Sequence, residues 1–158
     1  MTTRGRKSKP GRITFVGSGP GDPGLLTTRA RAVLATAALV FTDPDVPEAV
    51  LAIVGSELPP TSGPAEAAPQ TDDAAPVEEA ASTIPGGADV RPALGDPTEV
   101  AKLLVHEART GVDVVRLVAG DPMSVDAVIT EVSALARTQA HFEIVPGLPD
   151  TTAVPTYA

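Results

Sequence analysis

The chain has no cysteine and no tryptophan, and only three Phe and one Tyr among its 158 residues. Without cysteine there is no disulfide framework, no thiolate metal site and no catalytic thiol. The two histidines, His106 and His141, stand far apart, which argues against a histidine-based zinc site. No apolar run approaches the roughly 18 residues of a membrane span. The basic opening is followed by no apolar core segment, so a signal peptide is not expected.

Basic residues are also scarce. Lys and Arg number 12 against 20 Asp and Glu, for a net charge of −8. Five of the 12, Arg4, Arg6, Lys7, Lys9 and Arg12, fall in the opening stretch, which holds no acid. The remainder is strongly acidic and is not expected to bind nucleic acid, because neutralising phosphates requires a basic face. These absences point to a soluble, cytoplasmic protein without nucleic-acid or membrane partners. Residues 1–11 read as a solvated tail.

Proline and glycine, by contrast, are plentiful at 17 and 14 residues, well above the usual share. They are unevenly placed. Residues 55–97 hold eight Pro, five Gly and eight acids but one basic residue and no aromatic. Such a segment has too little apolar surface to offset its ordering entropy, so a disordered insertion is expected over about 55–95, with a short strand near Val90.

Outside that segment the pattern is that of alternating strands and helices. Residues 12–16, 38–42, 112–118 and 141–145 are short β-branched, apolar runs that read as buried strands. Leu25, Leu26, Ala30, Val33, Leu34 and Ala37 recur at helical spacing, and residues 47–54 suit a short helix. Val100, Leu103, Leu104 and Ala108 line a further helix that Gly111 is placed to end. Val125, Val128, Ile129, Val132, Leu135 and Ala136 mark the last one. The order predicts a doubly wound, mainly parallel α/β sheet with ligands at the carboxyl ends of the strands.

Gly-Asp-Pro occurs at 21–23, 95–97 and 120–122. Asp caps a helix, Pro suits its first turn and Gly permits the bend before them, which is account enough for 95–97. The other two copies each follow a predicted strand, where loops bind ligands. The first loop, Gly17-Ser-Gly-Pro-Gly-Asp-Pro-Gly24, puts Asp22 where a dinucleotide fingerprint needs its last glycine. Its prolines remove amides that a phosphate would use. A rigid loop beside an acid suits a cationic or neutral ligand better.

Val16-Gly-Ser-Gly-Pro-Gly-Asp-Pro-Gly-Leu-Leu-Thr27, followed by Ala38-Leu-Val-Phe-Thr-Asp43, closely resembles the opening of the tetrapyrrole methylases, most of all those that C-methylate uroporphyrinogen III. Val114-Val-Arg-Leu-Val-Ala-Gly-Asp-Pro122 and the stretch from Val145-Pro-Gly147 to Ala158 fall in the same order as that family's second and third motifs. The resemblance covers residues 12–54 and 98–158. It implies an α/β domain over 12–145, a linker and the start of a truncated second domain over 146–158, and a homodimer at full length. It also implies S-adenosylmethionine as cofactor, with S-adenosylhomocysteine as product, and a tetrapyrrole as substrate in sirohaem and cobalamin formation.

Carried over by position, the cofactor contacts fall on Pro20, Ala119, Gly120, Asp121, Ser124, Pro149 and Asp150, and the proton acceptor on Asp43. A turn-initiating Asp before Pro44 is an equally good local account of Asp43. Arg116 matches a family arginine, and two accounts stay open: contact with substrate, or pairing with a neighbouring acid. The chain also departs from the pattern. Thr42 replaces a tyrosine, the proton-donor lysine falls in the insertion, which has no Lys, and Asp126, Ala127 and Val128 stand where an arginine and glycines are usual. Glu131 alone keeps the place of paired glutamates, and Pro149-Asp150 replaces a Thr-Ala or Thr-Ser pair. A degenerate, non-catalytic domain with a structural or cofactor-sensing role is the second expectation.

Overall fold

The computed structural model describes residues 9–57 and 88–149. Most of the expected insertion, residues 58–87, lies outside the described residues, as do residues 1–8 and 150–158. The strands are β1 (Ile13–Gly17), β2 (Leu39–Thr42), β3 (Asp89–Pro92), β4 (Val114–Val118) and β5 (Phe142–Val145). They form one sheet in the order β3-β2-β4-β1-β5, with every neighbouring pair parallel. The expected strand near Val90 is β3, the edge strand beside β2.

Among the described residues four helices flank the sheet: α1 (Thr28–Ala35), α2 (Glu48–Leu51), α3 (Pro97–Arg109) and α4 (Asp126–Ala136). Side chains alternate across each strand, and here both faces are buried. Val16, Val40, Val115 and Leu117 pack with Ala30 and Leu34 of α1 and Val50 of α2. Ile13, Phe15, Leu39, Phe41, Val114 and Val118 pack with Val100, Leu104 and Ala108 of α3 and with Val128 and Leu135 of α4. This is the doubly wound sheet that the sequence predicts. Among the described residues no helix is long and apolar enough to cross a membrane.

Three expectations need adjusting. Leu25 and Leu26 are not in the first helix: a 3-10 turn over Pro23–Leu25 precedes it, and α1 begins only after Thr27, whose hydroxyl accepts from the Ala30 amide at 3.1 Å. Leu103 is exposed, and the buried face of α3 runs through Val100, Ala101, Leu104, Val105 and Ala108. On α4, Ile129 and Ala136 face outward while Glu131 faces in, so the helix is turned away from its most apolar orientation. The reason is the partner of Glu131, described below.

Candidate functional site

In a doubly wound sheet the crevice opens where adjacent strands send their connections to opposite faces. Here that point lies between β1 and β4. The chain after β1 leads to α1 on one face, and the chain after β4 leads to α4 on the other. The two loops are stitched together across the gap. Gly19 N–H donates to Gly120 O at 3.1 Å and Gly120 N–H donates to Gly19 O at 3.0 Å, a single antiparallel rung above a parallel sheet. Both glycines have positive φ, 67° and 73°, a region that side chains disfavour.

The loop after β5 joins them. A Cβ on Gly147 would lie 2.5 Å from Gly120 O and 2.9 Å from Gly17 Cα. A Cβ on Gly17 would lie 2.6 Å from Gly120 O. Three sequence motifs far apart in the chain thus meet at a joint of three glycines where backbones touch directly. This contact was not read from sequence. The signal was there: β1 ends in a glycine and β4 and β5 are each followed by one two residues on, and helix or sheet propensity explains none of them.

Asp121 fastens the joint. Its carboxylate accepts from Gly147 N–H at 3.3 Å and from Ser124 Oγ at 3.2 Å. Asp22 and Asp96, in the other Gly-Asp-Pro copies, cap locally, accepting from Gly24 N–H and Thr98 N–H at 2.8 Å each. Asp121 makes no such helix-capping bond. Of the residues proposed to hold a cofactor, Pro20, Ala119, Asp121 and Pro149 are half-buried, Gly120 is buried and Ser124 is exposed. Asp150 lies outside the described residues.

Next to this joint, at the end of β2, Asp43 is held from two sides. Its Oδ1 accepts from Arg116 Nη2 at 2.7 Å and its Oδ2 from Ala119 N–H at 3.3 Å. Arg116 rises from β4, on the face shared with Phe15 and Phe41, and is only 3% exposed. Its Nε and Nη2 each donate to a different oxygen of Glu131 at 3.0 Å, and its Nη1 donates to Leu117 O. Of the two accounts of Arg116 left open by sequence, the structure has the arginine paired with acids.

Burial pulls the Arg116 guanidinium down, but bonding to Glu131 and the charges of Glu131 and Asp43 more than offset this, leaving it above its ordinary value. Burial pushes the Glu131 carboxyl above the usual glutamate range, and Asp43 adds to the rise; Arg116 offsets only part of it. Sequence reasoning left Glu131 without a role. A Glu within the apolar stripe of α4 and an Arg within an apolar strand are each untenable alone, and together they predict one another.

Arg91, the other cation near the site's face, is engaged elsewhere. It lies 5.8 Å from the Phe41 ring centre and pairs with Asp89 at 2.7 Å and Glu107 at 3.2 Å. The described loops at the carboxyl ends of the strands contain Asp22, Asp43, Asp45, Asp96 and Asp121 and neither Lys nor Arg. The amides at the joint are spent as well: those of Ser18, Gly19, Ala119, Gly120 and Gly147 all donate within the protein. A phosphate site needs a fan of free amides or cations. This edge offers carboxylates and carbonyls, which suit a cationic ligand. Among the described residues no cluster could hold a metal ion.

The family model for tetrapyrrole (corrin/porphyrin) methylases matches residues 12–158. An S-adenosyl-L-methionine-dependent uroporphyrinogen III methyltransferase of Methanosarcina barkeri is 32% identical over 94% of this chain and 49% of its own length. A siroheme synthase of Buchnera aphidicola is 31% identical over 95% of this chain and 27% of its own. Among solved structures, the uroporphyrin-III C-methyl transferase from Thermus thermophilus in complex with S-adenosylhomocysteine superposes with a TM-score of 0.63 at 32% identity, over 92% of this chain and 48% of that one. The chain thus spans about half the length of the methyltransferases it matches.

Proposed function

Because the chain belongs to the tetrapyrrole (corrin/porphyrin) methylases, we propose that it forms one wall of an S-adenosylmethionine-dependent C-methyltransferase site for a tetrapyrrole of the uroporphyrinogen III type, on the route to sirohaem and cobalamin. The observation that carries this reading is the three-glycine joint at the switch point, with the Asp43 carboxylate fixed beside it.

S-adenosylmethionine, when bound, supplies an electrophilic methyl group on a sulfonium. The residues that would hold it are Pro20, Ala119, Gly120, Asp121 and Ser124, together with Pro149 and Asp150. The fit is favourable: the amides at the joint donate within the protein, and the charges in the loops are negative, which suits a sulfonium. Transfer of the methyl group to a substituted pyrrole carbon would leave the ring system cationic, and Asp43 is placed to accept, on a carboxylate oxygen, the proton whose loss restores its neutrality. Asp43 is 20% exposed, and each of its oxygens keeps a lone pair beyond the bonds to Arg116 and Ala119. In this reading Arg116 holds Asp43 and does not touch substrate.

The test is calorimetry with S-adenosylhomocysteine, followed by a methyl-transfer assay with uroporphyrinogen III. Asp43→Asn should abolish turnover and leave cofactor affinity unchanged; retained turnover would remove Asp43 from the chemistry, and absence of cofactor binding by the intact protein would overturn the whole reading. A second reading, cofactor binding without turnover, is favoured by one observation. A substrate rich in carboxylates meets no Lys or Arg in the described loops of this edge. Binding without transfer would establish it.

A further inference from the structure

One guanidinium serves two carboxylates of unlike surroundings. Glu131 is 2% exposed and takes two of the Arg116 N–H groups in a fork, whereas Asp43 stands at the rim and takes one. We propose that Glu131 is a positioning residue for methyl transfer: by clamping Arg116 from α4, it fixes the guanidinium in the plane from which Nη2 aims Asp43 at the proton that the methylated ring must lose. This rests on the reading of Asp43 as the proton acceptor.

The geometry supports the relay at each link. Arginine has more rotamer freedom than any other side chain in the sheet, and the fork from Glu131 removes it. Nη2 bonds Glu131 Oε1 at 3.0 Å and Asp43 Oδ1 at 2.7 Å, so one nitrogen joins the two acids. The Nη1 bond to Leu117 O at 3.0 Å ties the same group to the strand that leads into Ala119, whose amide holds the other oxygen of Asp43. Orientation is thus set by a residue that touches neither ligand. The rotation of α4 that buries Glu131 and exposes Ile129 is the structural cost of that arrangement.

The charged groups that bear on Glu131 are Arg116 from β4 and Asp43 from the end of β2. The experiment compares wild type, Glu131→Gln, Asp43→Asn and the double variant. Glu131→Gln should lower kcat by about tenfold or more with an unchanged KM for S-adenosylmethionine. It should cause no further loss in whatever residual rate Asp43→Asn retains. Independently of turnover, the Glu131 carboxyl resonance, followed by carbon NMR, should titrate at lower pH in Asp43→Asn than in wild type, because the Asp43 charge raises it. Equal loss of kcat in both backgrounds, or a Glu131 titration that does not move, would overturn the relay. If wild type transfers no methyl group, the proposed function fails and the Glu131 titration alone decides the link between the two acids. If Glu131→Gln does not fold, the same titration, which needs only Asp43→Asn, decides the proposal.

Discussion

The two faces of the sheet are built on different terms. Under α1 and α2 the buried contacts are aliphatic, with Val16, Ala30, Leu34, Val40, Val50, Val115 and Leu117 at their centre. Under α3 and α4 the cluster is just as apolar at Val114 and Val118, but between them it encloses Arg116, paired with Glu131 of α4, the buried charges among the described residues. Replacing a buried ion pair with well-packed apolar residues is often neutral or stabilising, so the second face is not charged for the sake of stability. It is charged where it backs Asp43. One face holds the fold, and the other holds the fold and a carboxylate.

That contrast can be broken by substitution. The largest effect is expected for Arg116→Met, which strands the Glu131 charge in the core and should cost about 3–5 kcal/mol. Adding Glu131→Leu should recover most of the loss, turning the second face into a copy of the first. Urea denaturation of the three proteins measures this, and a double variant no more stable than the single one would refute the contrast. Leu34→Ala, on the aliphatic face, should cost about 3 kcal/mol by leaving a cavity. No second substitution elsewhere should restore it, and its cost should be the same at every pH where the protein folds.

The smallest effect is a pH dependence confined to the charged face. The folded Glu131 carboxyl titrates above its ordinary value of 4.5. A group raised in the folded state contributes stability that is full below the unfolded value and is lost as pH rises through the folded one. The stability of wild type relative to Glu131→Gln should therefore be greatest in acid and should decline as pH rises above that value. Denaturation midpoints that differ by a constant amount across the range would contradict it.

Much of this was legible in the sequence because it is local. The strands announce themselves as β-branched runs, the Gly-Asp-Pro cap at Asp96 forms as its chemistry dictates, and β3 appears where Val90 suggested it. The facing of α4 was misjudged for the opposite reason. Ile129 is more apolar than Glu131, and only the tertiary neighbour Arg116 reverses their preference. The same holds for the two Asp residues that follow strands β2 and β4. Local sequence allowed Asp43 and Asp121 to be turn formers, and only the assembled sheet shows them reaching Arg116, Ala119, Ser124 and Gly147.

The joint of Gly17, Gly120 and Gly147 has a genetic consequence. Every missense change at a glycine codon adds at least a Cβ. At Gly17 and Gly147 that atom would fall within 3 Å of backbone, where nothing can swing aside. These positions have no conservative neighbour in mutational space. Variation in this protein can reshape the loops around the crevice, but it reaches the hinge between them only by breaking it, and a fully active Gly147→Ala allele recovered from random mutagenesis would show otherwise.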